Sequence, residues 1–229
     1  MSKIKIGVLS LSLFLAACED PAANKPKAQT TTSSTNTTAS SIVNTIANPA
    51  VRTPASTMEM KGTALPISPE NSKVEFTGSK VTGKHDGGFK AFKGTIDLVN
   101  NKPEESRVLV DIDTNSIFSD DEKLTGHLKS ADFFDVAKFP TANFISTKIT
   151  PDAAKGAGNY TVTGDFDLHG QKKSITFPAQ ITMSDAEVAV DTEFSINRKD
   201  FGIVYTGKTD DLIRDDVVIR LNLKSPRKK

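Results

Sequence analysis

The chain has 229 residues, and its 29 Lys and Arg residues against 28 Asp and Glu residues leave a formal net charge of only +1. A balance this even gives no electrostatic reason to expect nucleic acid as a partner. The single cysteine, Cys18, excludes an internal disulfide, so the folded part must be held together by packing alone.

A charged and apolar leader opens the chain. Lys3 and Lys5 precede an apolar run over residues 6–15, which is shorter than the roughly 20 residues that a membrane-spanning helix needs. The run therefore predicts a signal peptide over residues 1–17. It ends in the sequence LAAC, which resembles the lipobox of bacterial lipoproteins, where the cysteine sulfur receives a diacylglycerol. We expect the mature protein to begin at an acylated Cys18 and to be anchored to a membrane through it, because two or three acyl chains anchor far more firmly than one.

Residues 18–66 are rich in Thr, Ser, Ala, Asn and Pro and poor in large apolar side chains. Too little apolar area is available there to offset the entropy cost of ordering the backbone. We interpret this segment as a disordered tether that holds a folded domain away from the bilayer. The basic residues 225–229 at the other end of the chain are interpreted as a solvated tail.

Beyond Leu65 the dominant pattern is an alternation of apolar and polar residues, which is typical of half-buried strands. Eight such segments cover residues 73–82, 89–99, 108–112, 141–150, 160–168, 175–183, 188–196 and 217–223. Eight is the number of strands at which a closed barrel can hold its own side chains or one small ligand. The sequence therefore predicts an all-β antiparallel barrel.

One segment between the third and fourth predicted strands has helical spacing instead. Within residues 119–130, Leu124 and Leu128 are spaced to face one side, acidic residues suit the first turn, and Ser119 or Asp120 can cap it. The predicted order is thus a meander of strands with one short helical insertion. No internal repeat and no second domain is evident.

Four stretches of the predicted domain are similar to a known family. Residues 126–140, GHLKSADFFDVAKFP, resemble the signature of the YceI-like family. Further similarity lies in residues 164–173 (GDFDLHGQKK), 194–202 (FSINRKDFG) and 216–223 (DVVIRLNL). The first hairpin, residues 82–89, departs from the commoner family pattern.

The resemblance implies a fold and a kind of ligand. The implied fold is an eight-stranded antiparallel, lipocalin-like barrel over residues 67–224 with one short helical insertion. The implied ligand is a long isoprenoid or a similar amphiphilic lipid, held inside the barrel. Members of the family are typically secreted, many are periplasmic and some are dimeric. We therefore expect an extracytoplasmic location, and a homodimer is one expected assembly.

A lipid cavity needs enclosed apolar surface with a few polar groups near its mouth. The chain has 13 Phe, 2 Tyr and no Trp, so its aromatic surface offers almost no hydrogen-bonding groups. The candidate residues for the inner wall are Phe76, Phe92, Phe144, Phe166, Phe177 and Phe194. Each is equally compatible with an ordinary packed core, because spacing does not distinguish a filled barrel from an empty one. Only the resemblance favours a cavity.

Two further sets of side chains are candidates for the mouth of the barrel. Lys84, His85 and Arg198 are candidates to contact a polar headgroup at the rim, although solvated surface is the default role for such residues. The loop after the helix carries Phe133, Phe134 and Phe139. These three are expected to plug the end of the barrel, with a place in the wall of the mouth as the alternative.

The sequence gives little support to catalysis. His85, His127 and His169 lack the His-x-His or His-Glu-x-x-His spacing that supplies adjacent metal ligands. No Gly-x-Ser-x-Gly elbow and no glycine-rich phosphate loop occurs. The acidic residues 120–122 and 210–211 suit a helix N-terminus and an exposed turn. We therefore expect no catalytic residues, no metal and no cofactor, other than a bound isoprenoid or fatty amphiphile.

These inferences favour a lipid-anchored, extracytoplasmic binding protein that acts as a carrier, a store or a stress-related protein for its ligand. The alternative is a structural or partner-binding lipoprotein whose barrel is filled by its own side chains, and an enzyme is less favoured than either. We expect the protein in the outer membrane, facing the periplasm.

Overall fold

The structure is a computed structural model that describes residues 19–33 and 60–227. The strands in these ranges are β1 (Gln29–Thr32), β2 (Thr63–Ile67), β3 (Lys73–Lys80), β4 (Gly83–Phe89), β5 (Phe92–Leu98), β6 (Arg107–Asp113), β7 (Ile117–Ser119), β8 (Thr141–Pro151), β9 (Asn159–Leu168), β10 (Gln171–Met183), β11 (Glu187–Asn197), β12 (Gly207–Lys208), β13 (Asp211–Leu212) and β14 (Asp216–Pro226). The α-helix is α1 (Glu122–Lys129), and short 3₁₀ turns lie at Pro103–Glu105, Thr114–Ser116, Ala153–Lys155 and Arg198–Phe201.

Twelve of these strands form one sheet with antiparallel ladders, in the order β2-β5-β6-β8-β9-β10-β11-β14-β3-β4-β7, with β1 paired to β10. The sheet curls so far that β2 packs against β14. There the Ser225 hydroxyl donates to the Pro66 carbonyl at 2.6 Å, and the Ser72 hydroxyl donates to the Lys224 carbonyl at 3.2 Å. The predicted class, an all-β antiparallel fold of lipocalin type with one short helix, is confirmed.

All eight predicted strands are present, as β3, β5, β6, β8, β9, β10, β11 and β14. The four additional members of the sheet are β1, β2, β4 and β7, and none of them carries a long alternating pattern. β4, for example, reads GKHDGGF and pairs with both β3 and β7 through its backbone. Apolar alternation identifies only strands with one buried face, so strands without it are not predicted from the sequence.

The register places several connections at one end of the barrel, which we call the helix end. These are the turn 81–82 between β3 and β4, the turn 169–170 between β9 and β10, and the loop 198–215 between β11 and β14. The helix lies there too, since the ring of His127 packs at 5.1 Å from the ring of Tyr205. The opposite end carries the turns 99–106, 152–158 and 184–186.

The N-cap of the helix lies one residue after Asp120 and two after Ser119, the two predicted caps. Asp121 is the N-cap, and its carboxylate accepts from the backbone N–H of Leu124 at 2.7 Å. Ser119 instead donates to the Asp121 carbonyl at 2.7 Å. Leu128 is buried and Leu124 packs against the core, as the helical spacing predicts.

The interpretation of residues 18–66 as a disordered tether is wrong for the part that the structure describes after Cys18. Residues 19–33 are docked on the barrel, and Gln29–Thr32 pair with residues 173–176 of β10. The ladder between β10 and β11 covers only residues 180–183 of β10, so the two strands diverge beyond it. The N-terminal segment fills this gap, because the separated backbones need hydrogen-bond partners that a Thr-rich strand supplies.

Contacts on both sides of the gap hold the N-terminal segment. The Ala28 N–H donates to the Ser195 carbonyl and the Ser195 N–H donates to the Pro26 carbonyl, both at 2.8 Å. Ala28 is only 6% exposed and belongs to the hydrophobic core. Lys25 pairs with Glu193 at 2.7 Å on β11. The segment is thus part of the barrel wall.

The predicted boundaries at the ends of the domain also need correction. β2 begins at Thr63, inside the segment interpreted as tether, and β14 extends to Pro226, inside the segment interpreted as a solvated tail. Ser225 is fully buried, and the Arg227 guanidinium donates to the Ser184 carbonyl at 2.8 Å. The predicted signal peptide, Cys18 and residues 34–59 lie outside the described residues.

Candidate ligand-binding cavity

An apolar cavity of about 190 Å³ lies inside the barrel. It is lined by side chains from the inner face of the curled sheet, by the helix and by the loop 198–215, and these side chains present next to no polar surface to it. The cavity extends from Ile181 and Leu223, toward the end opposite the helix, to Leu128 and Ile203 at the helix end. The interior of the barrel is therefore not filled by its own side chains.

Five of the six phenylalanines proposed for the inner wall line this cavity. They are Phe76, Phe144, Phe166, Phe177 and Phe194. The alternation of each strand turns these rings inward, so spacing alone predicted their side of the sheet correctly. Whether they contact a ligand stays a prediction.

Two of the rings depend on glycines in the neighbouring strand. A Cβ atom on Gly164 would lie 2.4 Å from Cζ of Phe144, and one on Gly87 would lie 2.4 Å from Cζ of Phe76. Neither distance leaves room for a side chain. Gly164, which the strand pattern marks as a site of curvature, therefore also gives the Phe144 ring its place over the sheet.

Phe92 does not line the cavity. It is 8% exposed and packs in the hydrophobic core at the start of β5. Its role is structural.

Aliphatic side chains make up most of the wall. None of them was among the residues predicted to line it. They include Val108, Val110, Ile112, Ala142, Val162, Ile175, Val190, Ile196 and Leu221. Each occupies an inward position in the same alternation that selects the phenylalanines. The signal was present in the sequence, and reading it only for aromatic rings left these residues out.

The helix end of the cavity is covered by residues from the helix and the loop that follows it. Leu128, Phe133 and Phe134 line the cavity there, which agrees with the expected plug. Phe133 is 7% exposed and its ring packs at 5.3 Å from that of Tyr205. Phe139 lies outside the cavity and packs on the ring of His169 at 4.5 Å.

Arg198 lines the cavity but does not lie on an exposed rim, as the headgroup hypothesis requires. Its guanidinium donates to three carbonyls of the loop 198–215, those of Ile203 at 2.7 Å, Arg214 at 3.1 Å and Ile213 at 3.4 Å. Burial lowers the pKa of this guanidinium from its ordinary value, and the nearby Asp215 carboxylate opposes that shift. These bonds make Arg198 a structural clamp for the loop.

The other two headgroup candidates lie on β4, in the β3–β4 hairpin. His85 Nδ1 is 2.8 Å from the Asp120 carboxylate, and Lys84 is exposed opposite Ser79. Neither residue lines the cavity. Instead, Arg214 lines it from the loop 198–215, and sequence reasoning gave no signal for this residue.

The described residues bring no recognisable catalytic or metal centre together. His85 pairs with Asp120, His127 Nε2 lies 2.8 Å from Asp132, and His169 Nδ1 lies 3.2 Å from the Phe201 carbonyl. Each histidine thus has a separate partner. Within residues 19–33 and 60–227, no three His, Cys, Asp or Glu side chains cluster as metal ligands. The helix in these ranges is neither long nor apolar enough to cross a membrane.

Comparison with known sequences gives a consistent result. Residues 65–225 match the model of the YceI-like domain. A UPF0312 protein of Pseudomonas putida strain W619 is 34% identical over 139 residues, which are 58% of this chain and 71% of the relative. A UPF0312 protein of Pseudomonas fluorescens strain SBW25 is 34% identical over 137 residues, which are 57% of this chain and 70% of the relative.

Solved structures share the fold. BcnA of Burkholderia cenocepacia superposes with a TM-score of 0.62 at 26% identity, over 69% of this chain and 98% of that one. A polyisoprenoid-binding domain from Saccharophagus degradans superposes with a TM-score of 0.57 at 18% identity, over 72% of this chain and 100% of that one. At this identity the second likeness concerns the fold alone.

Proposed function

Because the chain belongs to the YceI-like family, a family with a binding-protein fold, we propose that its barrel holds one long-chain isoprenoid or similar amphiphilic lipid. The observation that carries this proposal is the apolar cavity of about 190 Å³. An engineered apolar cavity of about 150 Å³ in another protein stays dry and binds benzene. A cavity this apolar favours a hydrocarbon over water, and at this size it encloses a segment of a long chain.

The energetics support a chain ligand. Burying a methylene contributes about 0.8 kcal/mol, so one five-carbon isoprene unit contributes roughly 4 kcal/mol before the costs of binding. Those costs include ordering the chain, so affinity does not rise with length without limit. Since the wall carries next to no polar surface, the hydrocarbon chain binds inside and the headgroup stays near the mouth.

The alternative, a structural or partner-binding lipoprotein, supposes a barrel filled by its own side chains, and the cavity counts against it. The polyisoprenoid-binding domain of Saccharophagus degradans, which has the same fold, supports the choice of an isoprenoid among hydrocarbon ligands. We propose binding rather than catalysis. The role is that of a carrier, a store or a stress-related protein, with no cofactor beyond the lipid.

We further propose that an acylated Cys18 anchors the protein outside the cytoplasm, in the outer membrane facing the periplasm. The leader and the LAAC sequence support this location. A homodimer is the assembly proposed by the family resemblance.

Lipid extraction tests the binding function. The chain from Glu19 onward, which keeps β1 and omits Cys18, would be purified, extracted with organic solvent and analysed by mass spectrometry. An occluding variant, Ala142→Phe, puts a ring into the cavity from a wall position that is 1% exposed. The matched control is Ala154→Phe, at an exposed position of the 152–158 turn.

We expect about one chain amphiphile per protein in the parent and in the control, and much less in the occluded variant. Thermal unfolding must show that Ala142→Phe folds, and Val110→Phe, which also fills the cavity, replaces it if it does not. Equal lipid content in the parent and a folded, occluded variant would show that the lipid lies elsewhere.

A further inference from the structure

The helix end of the barrel carries an unusual share of the exposed apolar side chains. In the described part of the chain, four large apolar residues are exposed, and three of them are here: Val81 at 55%, Val204 at 60% and Leu212 at 49%. Soluble proteins commonly expose single apolar residues, so none of the three indicates an interaction site by itself. Their location together at one end of the barrel does indicate such a site.

The three residues belong to one surface, which we call the apolar tip (Val81, Val204 and Leu212). The Val81 N–H donates to the Leu212 carbonyl at 3.2 Å, so these two are adjacent. Val204 and Leu212 each neighbour a residue whose carbonyl is bound by the Arg198 guanidinium. One buried side chain thus holds both halves of the loop in place behind the tip.

Two ion pairs flank the apolar tip. Lys80 lies 2.5 Å from the Asp211 carboxylate, and Lys199 lies 2.9 Å from the Asp215 carboxylate. Pairing lowers the cost of bringing these four groups close to an apolar phase, because isolated charges are far more costly to desolvate.

The N-terminal segment ends at the same place. The Asp20 carboxylate pairs with the Arg214 guanidinium at 3.2 Å, and Arg214 lies in the loop that carries the apolar tip. Two extended residues span at most about 7 Å, so Cys18 is joined to the barrel by a very short link. An acyl anchor on Cys18 would therefore be joined to the barrel within two residues of the Asp20–Arg214 pair, and not through a long tether.

From this arrangement we propose that the helix end is a membrane-docking surface on which the barrel lies against a phospholipid bilayer. The acyl chains provide the affinity, and the apolar tip orients the barrel. Ile203 and Ile213 line the cavity directly behind the tip, so this orientation turns the helix end of the cavity toward the source of a lipid ligand. The proposal rests on the proposed acylation of Cys18 and is independent of ligand binding.

Single-tryptophan fluorescence tests the docking surface, because the chain has no Trp of its own. The full-length acylated protein would carry Val204→Trp at the tip or, as the matched control, Ala154→Trp at the opposite end. Each variant would be reconstituted in phosphatidylcholine vesicles with and without brominated acyl chains. We expect strong quenching and a blue shift for Val204→Trp and little change for Ala154→Trp.

A second variant ties the effect to the docked N-terminal segment. Ala28→Asp places a carboxylate in the core and should release the segment, because an unpaired buried charge is strongly disfavoured. The doubly substituted protein should stay with the vesicles and lose quenching at position 204. No quenching in the Val204→Trp protein, equal quenching in both reporters, or a protein that does not associate with vesicles would overturn the proposal. Lipid extraction from the chain starting at Glu19 would still report separately on the cavity.

Discussion

Phe177 of β10 and Phe194 of β11 stack face to face, with ring centroids 4.2 Å apart and an interplanar angle of 11°. The stack bridges the two strands where their backbone ladder has ended. It therefore holds the cavity wall together at the point where the N-terminal segment enters between the two strands.

Removing one ring of this stack should destabilise the barrel. We expect Phe194→Ala to lower the free energy of unfolding by about 3–5 kcal/mol, as is usual for a buried phenylalanine. Chemical denaturation measures this, with the partly exposed Phe118→Ala as the control. A loss no larger than that of the control would mean that the stack contributes little to stability.

Docking of the N-terminal segment predicts resistance to trypsin after Lys27. The Lys27–Ala28 bond is protected while Ala28 is buried and bonded to Ser195. We expect Ala28→Gln, which puts a larger polar side chain at this buried position without adding an acidic residue after Lys27, to make the bond after Lys27 one of the first to be cut, as followed by mass spectrometry. Fast cleavage after Lys27 in the unsubstituted protein would contradict the docked arrangement.

The clamp role of Arg198 differs from a headgroup role in its consequences. Arg198→Lys keeps the charge but loses the geometry that reaches the carbonyls of Ile203, Ile213 and Arg214. We expect a loss of about 3 kcal/mol in stability, because buried carbonyls lose their donors. Hydrogen exchange should rise in the loop 198–215. Normal stability with altered preference among lipid headgroups would instead support the rim hypothesis.

Asp86 should contribute to stability in a pH-dependent way. The hydroxyl of Thr77, which donates to Asp86 at 2.5 Å, is the main cause that holds the pKa of Asp86 below its ordinary value, and the guanidinium of Arg220 adds to it. A lowered folded-state pKa means that the contribution is present above the unfolded pKa of about 4 and is lost as the pH falls below it.

We expect Asp86→Asn to cost about 0.5 kcal/mol at pH 7, the usual size for a partly exposed pair, and nothing near pH 2. Urea unfolding across this range measures the difference, with the exposed Asp185→Asn as the control. A cost that is the same at both pH values would assign the effect to the neutral hydrogen bonds alone.

Acylation of Cys18 is the basis of the membrane location that we propose. We expect Cys18→Ser to leave the protein unprocessed or to release it into the soluble fraction, because the sulfur that accepts the diacylglycerol is gone. Cell fractionation and intact-protein mass spectrometry measure this. A variant that remains membrane-bound with a cleaved leader and unchanged mobility would refute the lipobox interpretation.

The strands predicted from the sequence are those in which burial of one face produces an alternation of apolar and polar residues. β9 is an example, since Val162, Gly164 and Leu168 are buried on one face. β1 was missed because Ala28 is the one buried apolar residue beside a strand of polar residues, and its docking depends on a gap between two distant strands. No local pattern encodes such a gap.

The sequence predicted which face of the sheet lines the cavity, but not that the space inside is left unfilled. Phe144 and Phe177 point inward by alternation, yet whether their neighbours fill the space depends on the curvature of the closed sheet. Arg198 was predicted to contact a polar headgroup at the rim. Its partners turned out to be the protein's own carbonyls, which only the folded loop brings within reach.

The central claim is that the barrel binds a hydrocarbon chain in its cavity. Native mass spectrometry of the delipidated chain from Glu19, titrated with the twenty-carbon prenol geranylgeraniol, tests it most directly. We expect one prenol per chain for the parent and for Ala154→Phe, and none for a folded Ala142→Phe. A well-folded parent that takes up no prenol and no fatty acid, or an occluded variant that binds as the parent does, would contradict it.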